Sequence, residues 1–268
     1  MTGTDTIFAG SIPAIYDRYM VPLIFEPYAQ LVARRAAQFG PLKILETAAG
    51  TGVVTKALSR AIPDAEIIAT DLNAPMLEQA AVQFGNPKVR FEVADAQALP
   101  FRDASFDLAV CQFGVMFFPD KVKANSEARR VLRDGGRYML VIWDKVERNL
   151  ATLAAGRAVG DLFPGESVRF YERVPFRYHD LGEIERDLLD AGFNDIEIET
   201  VELRSRAASA REAAIALVQG TPVRSDIEQI DASRLGEATD AAEKALLQFE
   251  GPDGFDAPMS AHLVTAIK

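Results

Sequence analysis

The stretch Leu42-Lys43-Ile44-Leu45-Glu46-Thr47-Ala48-Ala49-Gly50-Thr51-Gly52-Val53-Val54 decides the fold. It reads as a short apolar strand over 42–46, an acidic residue, a turn of small residues and the start of a helix. Glycine and alanine in the turn let main-chain atoms approach a ligand that larger side chains would hold off. In a chain that alternates strands and helices, such a turn lies at the carboxyl edge of the sheet, where nucleotide-like ligands bind. Dinucleotide enzymes share this signature. Its meaning therefore depends on three features further along the chain: Asp71, Asp95 and a strand that ends at Cys111-Gln112.

Further strands are expected at 66–71, 89–94, 106–111 and 136–143, with helices at 53–61, 74–84 and 121–132 between them. Asp134-Gly135-Gly136 reads as a helix end followed by a turn. A helix at 181–191 ends at Gly192 and leads into 195–203, where acidic and apolar residues alternate as on a strand with one solvated face. A last strand is expected at 261–267. Seven strands alternating with helices imply an α/β fold, a mostly parallel sheet covered by helices on both faces.

Three segments fall outside that sheet. Residues 1–39 read as a helical cap rich in aromatics (Phe8, Tyr16, Tyr19, Phe25, Tyr28). Residues 145–178 and 204–255 read as helical lid insertions, the first carrying Phe170, Tyr171, Phe176 and Tyr178. Insertions of this length at a ligand edge usually act as lids or binding walls. The core is left as 40–144, 179–203 and 256–268.

With 268 residues, 49% of them hydrophobic, the chain can bury one sizeable core with elaborations. A net charge of -10 argues against a dedicated nucleic-acid binder, which needs a basic face. Arg129, Arg130 and Arg133 fall together on the 121–132 helix and read as a solvated face. The single cysteine, Cys111, allows no internal disulfide and points to a reducing compartment. Residues 1–10 show no signal-peptide pattern, and no apolar run approaches the ~20 residues that span a bilayer. The expectation is a cytoplasmic protein with a small-molecule partner and neither nucleic-acid nor membrane partner; a homo-oligomer is left open. Only two histidines occur, His179 and His262, without a metal-binding spacing.

Glu46-Thr47-Ala48-Ala49-Gly50-Thr51-Gly52 resembles the first motif of class I S-adenosylmethionine-dependent methyltransferases, Asp/Glu-x-Gly-x-Gly-x-Gly. Thr70-Asp71-Leu72-Asn73 resembles the second, and Ala94-Asp95-Ala96-Gln97-Ala98-Leu99-Pro100-Phe101 the third. Phe106-Asp107-Leu108-Ala109-Val110-Cys111 resembles the fourth strand, and Arg130-Val131-Leu132-Arg133-Asp134-Gly135-Gly136 the turn into the fifth. The likeness covers 42–143, in order and at the expected spacing. It implies a Rossmann-like fold, S-adenosylmethionine as cofactor and methyl transfer to a small molecule.

The resemblance also implies roles. Asp71 would accept from both ribose hydroxyls, although an aspartate there can equally cap a helix. Asp95 would accept from the adenine amino group, with the Ala96 amide facing a ring nitrogen; a plain turn-forming aspartate is the alternative. Leu72 would pack on adenine, and Gln112 would stand near the reacting end. Gly50 and Gly52 would give close approach, with the Ala48 and Cys111 carbonyls available to the methionine ammonium. Glu46 would organise the turn or reach that ammonium through water. Tyr16-Asp17-Arg18-Tyr19 resembles a cofactor-covering helix, with Tyr19 over the carboxylate end or simply packed.

Cys111 lacks a neighbouring basic group and reads as a buried small hydrophobe rather than a nucleophile. The Pro-Cys pair of the cytosine-modifying members is missing, as is the Asn/Asp-Pro-Pro-aromatic motif of the amino-group-modifying DNA enzymes. Gln112-Phe113-Gly114-Val115-Met116-Phe117-Phe118 stands there instead, resembling members that act on small molecules, quinone precursors included. Phe117 and Phe118 suit core or pocket alike. Candidates for a general base are His179, otherwise a surface or capping histidine, and Tyr16. One departure stands out: Ala48 replaces the first motif glycine, and alanine resists positive φ. Two other readings remain, a nicotinamide-dependent oxidoreductase and a non-catalytic binding protein that keeps the fold.

Overall fold

The described elements of the chain run α1 (Ile12–Ile15), a π-helical stretch (Tyr16–Phe25), α2 (Glu26–Ala37), β1 (Lys43–Thr47), α3 (Val53–Ala61), β2 (Glu66–Asp71), α4 (Ala74–Val82) and β3 (Val89–Val93). They continue with β4 (Phe106–Gln112), α5 (Lys121–Val131), β5 (Leu132–Trp143), α6 (Leu150–Leu162), α7 (Phe170–Arg173), α8 (Leu181–Asp190) and β6 (Asp195–Ala207). The chain closes with α9 (Ala210–Gln219), α10 (Val223–Asp231), α11 (Leu235–Leu246), β7 (Glu250–Gly251) and β8 (Gly254–Ile267). The structure, a computed structural model, describes residues 12–164, 168 and 170–268. Phe8 and the first residues of the expected cap lie outside them.

The strands lie in the order β3-β2-β1-β4-β5-β8-β6, with β7 paired to β8. Pairs β1–β2, β2–β3, β1–β4 and β4–β5 are parallel, and β5–β8 is antiparallel. Because the chain steps outward from β1 to β3 and then returns to β4, the order reverses between β1 and β4. That switch point opens a crevice at the carboxyl ends of the strands. Ile44, Leu45, Ile67, Leu108, Val110 and Val141 are buried, as expected of strands covered on both faces.

The chain divides into two compact units. The sheet unit comprises Tyr28–Trp143, Tyr178–Val201 and Ala261–Lys268. The helical unit comprises Met1–Pro27, Asp144–Arg177 and Glu202–Ser260. In the helical unit α11 packs on α6 and α9 through small buried residues, Ala155, Ala213, Ala238 and Ala242. Phe170, Tyr171 and Phe176 are buried there, and the Tyr171 hydroxyl donates to the Leu217 carbonyl. They pack into the core of that unit, and Tyr171 also lines its cavity. A cavity of about 430 Å³ lies beside them, lined by Leu153, Arg157, Asp161 and Glu172 among others. Among the described residues no helix is long and apolar enough to cross a membrane.

Several sequence expectations are corrected. Among the described residues the sheet has eight strands, because the two-residue β7 pairs with β8. Strand β8 starts at Gly254 rather than 261; its Gly, Asp and Pro residues mimic a turn in the sequence. Residues 134–136 are not a turn between helix and strand. Helix α5 ends at Val131, β5 begins at Leu132, and the register jumps from Phe106↔Leu132 to Leu108↔Arg137. Gly135, at φ 75, accommodates this bulge. Nor do the three arginines share one helix: Arg133 lies in β5, exposed, and pairs with Asp107 at 3.0 Å, whereas Arg130 on α5 is half-buried and pairs with Asp103 and Glu127 at 2.7 Å each.

Asp107 fixes the start of β1. Its Oδ2 accepts from the Leu42 and Lys43 amides at 2.7 and 3.0 Å, while Oδ1 faces Arg133. Hydrogen bonds to a charged group contribute about 1.5–3 kcal/mol each. Asp107→Ala is expected to lower the unfolding free energy by about 2–3 kcal/mol in denaturant titration, and a loss below about 0.5 kcal/mol would contradict this role.

Candidate cofactor site

Strand β1 delivers the chain into a turn of left-handed residues: Ala48 (φ 54), Gly50 (φ 56) and Gly52 (φ 83). Gly52 then stands at the N-cap of α3. A Cβ there would lie 3.1 Å from the Phe84 ring and 3.3 Å from the Ala80 Cβ, so glycine is required by packing as well as by φ. The Ala49 amide donates to the Thr70 carbonyl at 2.9 Å, tying the turn to β2.

Ala48 adopts the conformation that alanine resists, at a cost of ~1–2 kcal/mol. Its methyl fills room left by Gly114: a Cβ on Gly114 would fall 2.3 Å from the Ala48 Cβ and 2.9 Å from Cys111 Sγ. Phe113, just before, is also at positive φ (55). Its ring stacks on Trp143 at 3.8 Å and its amide donates to the Val141 carbonyl at 2.8 Å. Strain concentrated in two adjoining loops, and over-determined by packing, is typical of a ligand edge.

Two carboxylates occupy the ends of β1 and β2. Glu46 is buried, and its Oε2 accepts from the Thr55 hydroxyl at 2.6 Å. Burial pushes its carboxyl up to about 8; the Thr55 hydrogen bond opposes this and the Asp71 charge adds to it. Asp71 Oδ2 accepts from the Gly50 amide at 2.9 Å and Oδ1 from the Asn73 amide at 2.8 Å. The N-cap of α4 is Asn73, so Asp71 is not the cap; it ties the β1 turn to the end of β2. Among the described residues, neither Glu46 nor Asp71 forms an ion pair.

At the end of β3, Asp95 Oδ1 accepts from the Gln97 amide at 2.8 Å and from Gln97 Nε2 at 3.3 Å. The turn-forming reading of Asp95 is thus correct, and Oδ2 remains an acceptor. Ala96 beside it is buried, whereas Leu72 is 64% exposed. Cys111 is buried, and burial pushes its thiol up to about 11, so it is no thiolate nucleophile. Gln112 ends β4, half-buried, with Phe117 and Phe118 equally half-buried in the loop beyond it.

The sheet unit therefore brings Glu46, Ala48, Gly50, Gly52, Asp71, Leu72, Asp95, Ala96, Cys111 and Gln112 to one edge, the carboxyl ends of β1–β4. His179 lies in the same unit, half-buried, just before Asp180. Asp180 caps α8 by accepting from the Glu183 amide, so His179 is not the capping residue. Tyr16 and Tyr19 belong to the helical unit; Tyr16 stacks on Phe25 at 5.1 Å, and the Arg18 guanidinium lies 4.9 Å from the Tyr19 ring centre. Sequence reasoning missed Thr55 and Gly114. Neither carries a motif role, although a lone glycine right after a strand end is a signal of close packing. The Asp71 and Asp95 carboxylates offer acceptors at this edge, which suits a ligand bearing hydroxyls and an amino group.

Two measurements check this geometry. Gly114→Ala should destabilise by about 1–3 kcal/mol or more, and a double-mutant cycle with Ala48→Gly should show coupling above about 0.5 kcal/mol; strict additivity would contradict the contact. For Glu46, the folded protein holds a proton that the unfolded chain loses near the ordinary value of 4.5. Wild-type stability should therefore fall as pH rises from about 4.5 to about 8, relative to Glu46→Gln. Parallel pH profiles for the two proteins would refute a buried, protonated Glu46.

Comparison with known proteins agrees with this geometry. Residues 45–140 match a family model described as a methyltransferase domain. A demethylmenaquinone methyltransferase of Deinococcus radiodurans is 36% identical over 116 residues, covering 42% of this chain and 48% of the relative. One of Thermus thermophilus is 40% identical over 108 residues, covering 40% of this chain and 49% of the relative. The matched segments thus span about half the length of these curated relatives. The crystal structure of the YcgJ protein from Bacillus subtilis superposes with a TM-score of 0.59 at 23% identity, covering 90% of this chain and 98% of that one, which establishes a shared fold. Residues 45–140, which carry the motifs in order along β1–β5, are thus similar to a methyltransferase domain, on a fold shared with solved methyltransferase structures.

Proposed function

We propose that this protein binds S-adenosylmethionine at the β1–β4 edge and transfers its methyl group to a small, partly apolar acceptor of the quinone-precursor type. The observation that carries the reading is the acceptor set: Asp71, held by the Gly50 and Asn73 amides, beside a buried Glu46 with no ion-pair partner among the described residues. In this reading Asp71 receives the ribose hydroxyls and Asp95 Oδ2 the adenine amino group. Leu72 covers the base, while the 48–52 turn and the Cys111 carbonyl meet the methionine end. Glu46, close to an arriving ammonium, gives up its proton and becomes the counter-charge. The acceptor class is supported by the named activity of the two curated relatives.

When bound, the cofactor supplies a methyl group already activated on a sulfonium, so the protein's share is placement. Holding donor and acceptor in line, with water excluded, can supply several kcal/mol of the barrier reduction. Gln112 at the end of β4 is positioned to orient the reacting end. A general base is needed only for an acceptor protonated at neutral pH; His179 and Tyr16 are the candidates.

A dinucleotide fits this edge poorly. Its pyrophosphate needs free amides at the glycine turn, but the Gly50 amide is already donated to Asp71.

Calorimetric titration should show binding of S-adenosylmethionine and S-adenosylhomocysteine and none of NAD. Asp71→Asn should weaken both by about tenfold or more. Transfer of labelled methyl to demethylated quinols is the expected activity. Binding of NAD alone, or unchanged affinity in the variant, would overturn the reading.

A further inference from the structure

The loop between β3 and β4 carries Asp95, yet its backbone has few ladder partners of its own, and groups left so must be satisfied elsewhere. Helix α5 satisfies them. The Leu99 amide donates to Glu127 Oε2 at 2.8 Å. Arg130 donates back, from Nη2 to the Leu99 carbonyl at 2.9 Å and from Nη1 to the Phe101 carbonyl at 2.7 Å. The two side chains hold each other through Nε–Oε1 at 2.7 Å and Nη2–Oε2 at 2.9 Å. The Arg130 hydrogen bond holds the Glu127 carboxyl below its usual range.

A second stitch lies nearer Asp95. Gln97 Oε1 accepts from the amide of Asp120, the N-cap of α5, at 3.0 Å, while Gln97 Nε2 donates to Asp95 Oδ1 at 3.3 Å. The loop is thus fastened to one helix at two points, and Asp95 hangs from the fastened part. Arginine is required at 130, since only a planar fork can bond two carbonyls and the Glu127 and Asp103 carboxylates at once.

We propose that Glu127 and Arg130 are positioning residues that hold the 95–101 loop so that Asp95 selects an adenine over a 6-oxo purine. This rests on the reading of Asp95 as the acceptor for the exocyclic amino group. An inosine base presents a carbonyl there, which faces a carboxylate without a hydrogen bond. Selectivity between the two bases then depends on where the loop holds Asp95. A residue that merely stabilised the fold would lower both affinities alike.

The test is calorimetric affinity for S-adenosylhomocysteine and S-inosylhomocysteine in the full chain, with the melting temperature of each variant recorded. The wild type should prefer the adenosyl compound by about tenfold or more. Asp95→Ala should erase most of that preference. Arg130→Lys and Glu127→Gln should each cut it by about threefold or more, at temperatures where the variants remain folded. Arg130→Gln should cut it further; if that variant does not fold, Arg130→Lys, which keeps the charge but loses the fork, carries the same test. Preference erased by Asp95→Ala but unchanged in both Arg130→Lys and Glu127→Gln would overturn the clamp. Preference unchanged in Asp95→Ala would overturn the underlying reading of Asp95, and the clamp's selective role with it.

Discussion

The hydrogen bond from the Gly50 amide to Asp71 joins the turn after β1 to the end of β2. It adds to the tie that the Ala49 amide makes to Thr70, and together with the Asn73 amide it fixes both oxygens of Asp71. The bond also decides the chemistry of the edge. It consumes the Gly50 amide, one of the donors that a phosphate at this turn would need. Glu46 is buried behind the same turn and holds its proton, with the Thr55 hydroxyl as its hydrogen-bond partner. The edge is thereby tuned for hydroxyls and amino groups.

Maintaining this edge costs strain, and the compensation is local. Ala48 and Phe113 both take left-handed conformations in adjoining loops. The first is relieved by the empty face of Gly114, and the second is locked by the Trp143 ring, itself met edge-on by Tyr28 at 5.7 Å. Side chains behind the site thus set backbone geometry at its surface. Ala48 in place of a motif glycine brings a requirement for glycine at 114, in the opposite loop.

Legibility in the sequence tracks how local the deciding forces are. Strands β1, β2 and β4 are short apolar runs bounded by turn residues, and the helices between them carry their own periodicity, so both read clearly. The motif residues read clearly too, since they sit at fixed offsets from strand ends. The start of β8 does not, because Gly254 and Pro258 look like a turn until a partner strand is known. The bulge at 134–136 is hidden for the same reason: only the register against β4 separates it from a loop. Arg130 looks solvated because its partners, Leu99 and Phe101, offer main-chain carbonyls, which no side-chain pattern encodes. Which of the aromatics at 170–176 only fill the helical core and which also line its cavity, as Tyr171 does, is a tertiary fact that the sequence does not carry. Asp95 is instructive, since the turn-forming and ligand-binding readings use different oxygens of one carboxylate and are not exclusive.

A crystal structure of the protein with S-adenosylhomocysteine would decide whether the β1–β4 edge is the cofactor site. Both ribose hydroxyls should lie on Asp71, the adenine amino group on Asp95, and the methionine ammonium beside Glu46 and the Ala48 carbonyl. A ligand that left Asp71 bonded only to Gly50 and Asn73, with its nucleoside elsewhere in the chain, would contradict that assignment.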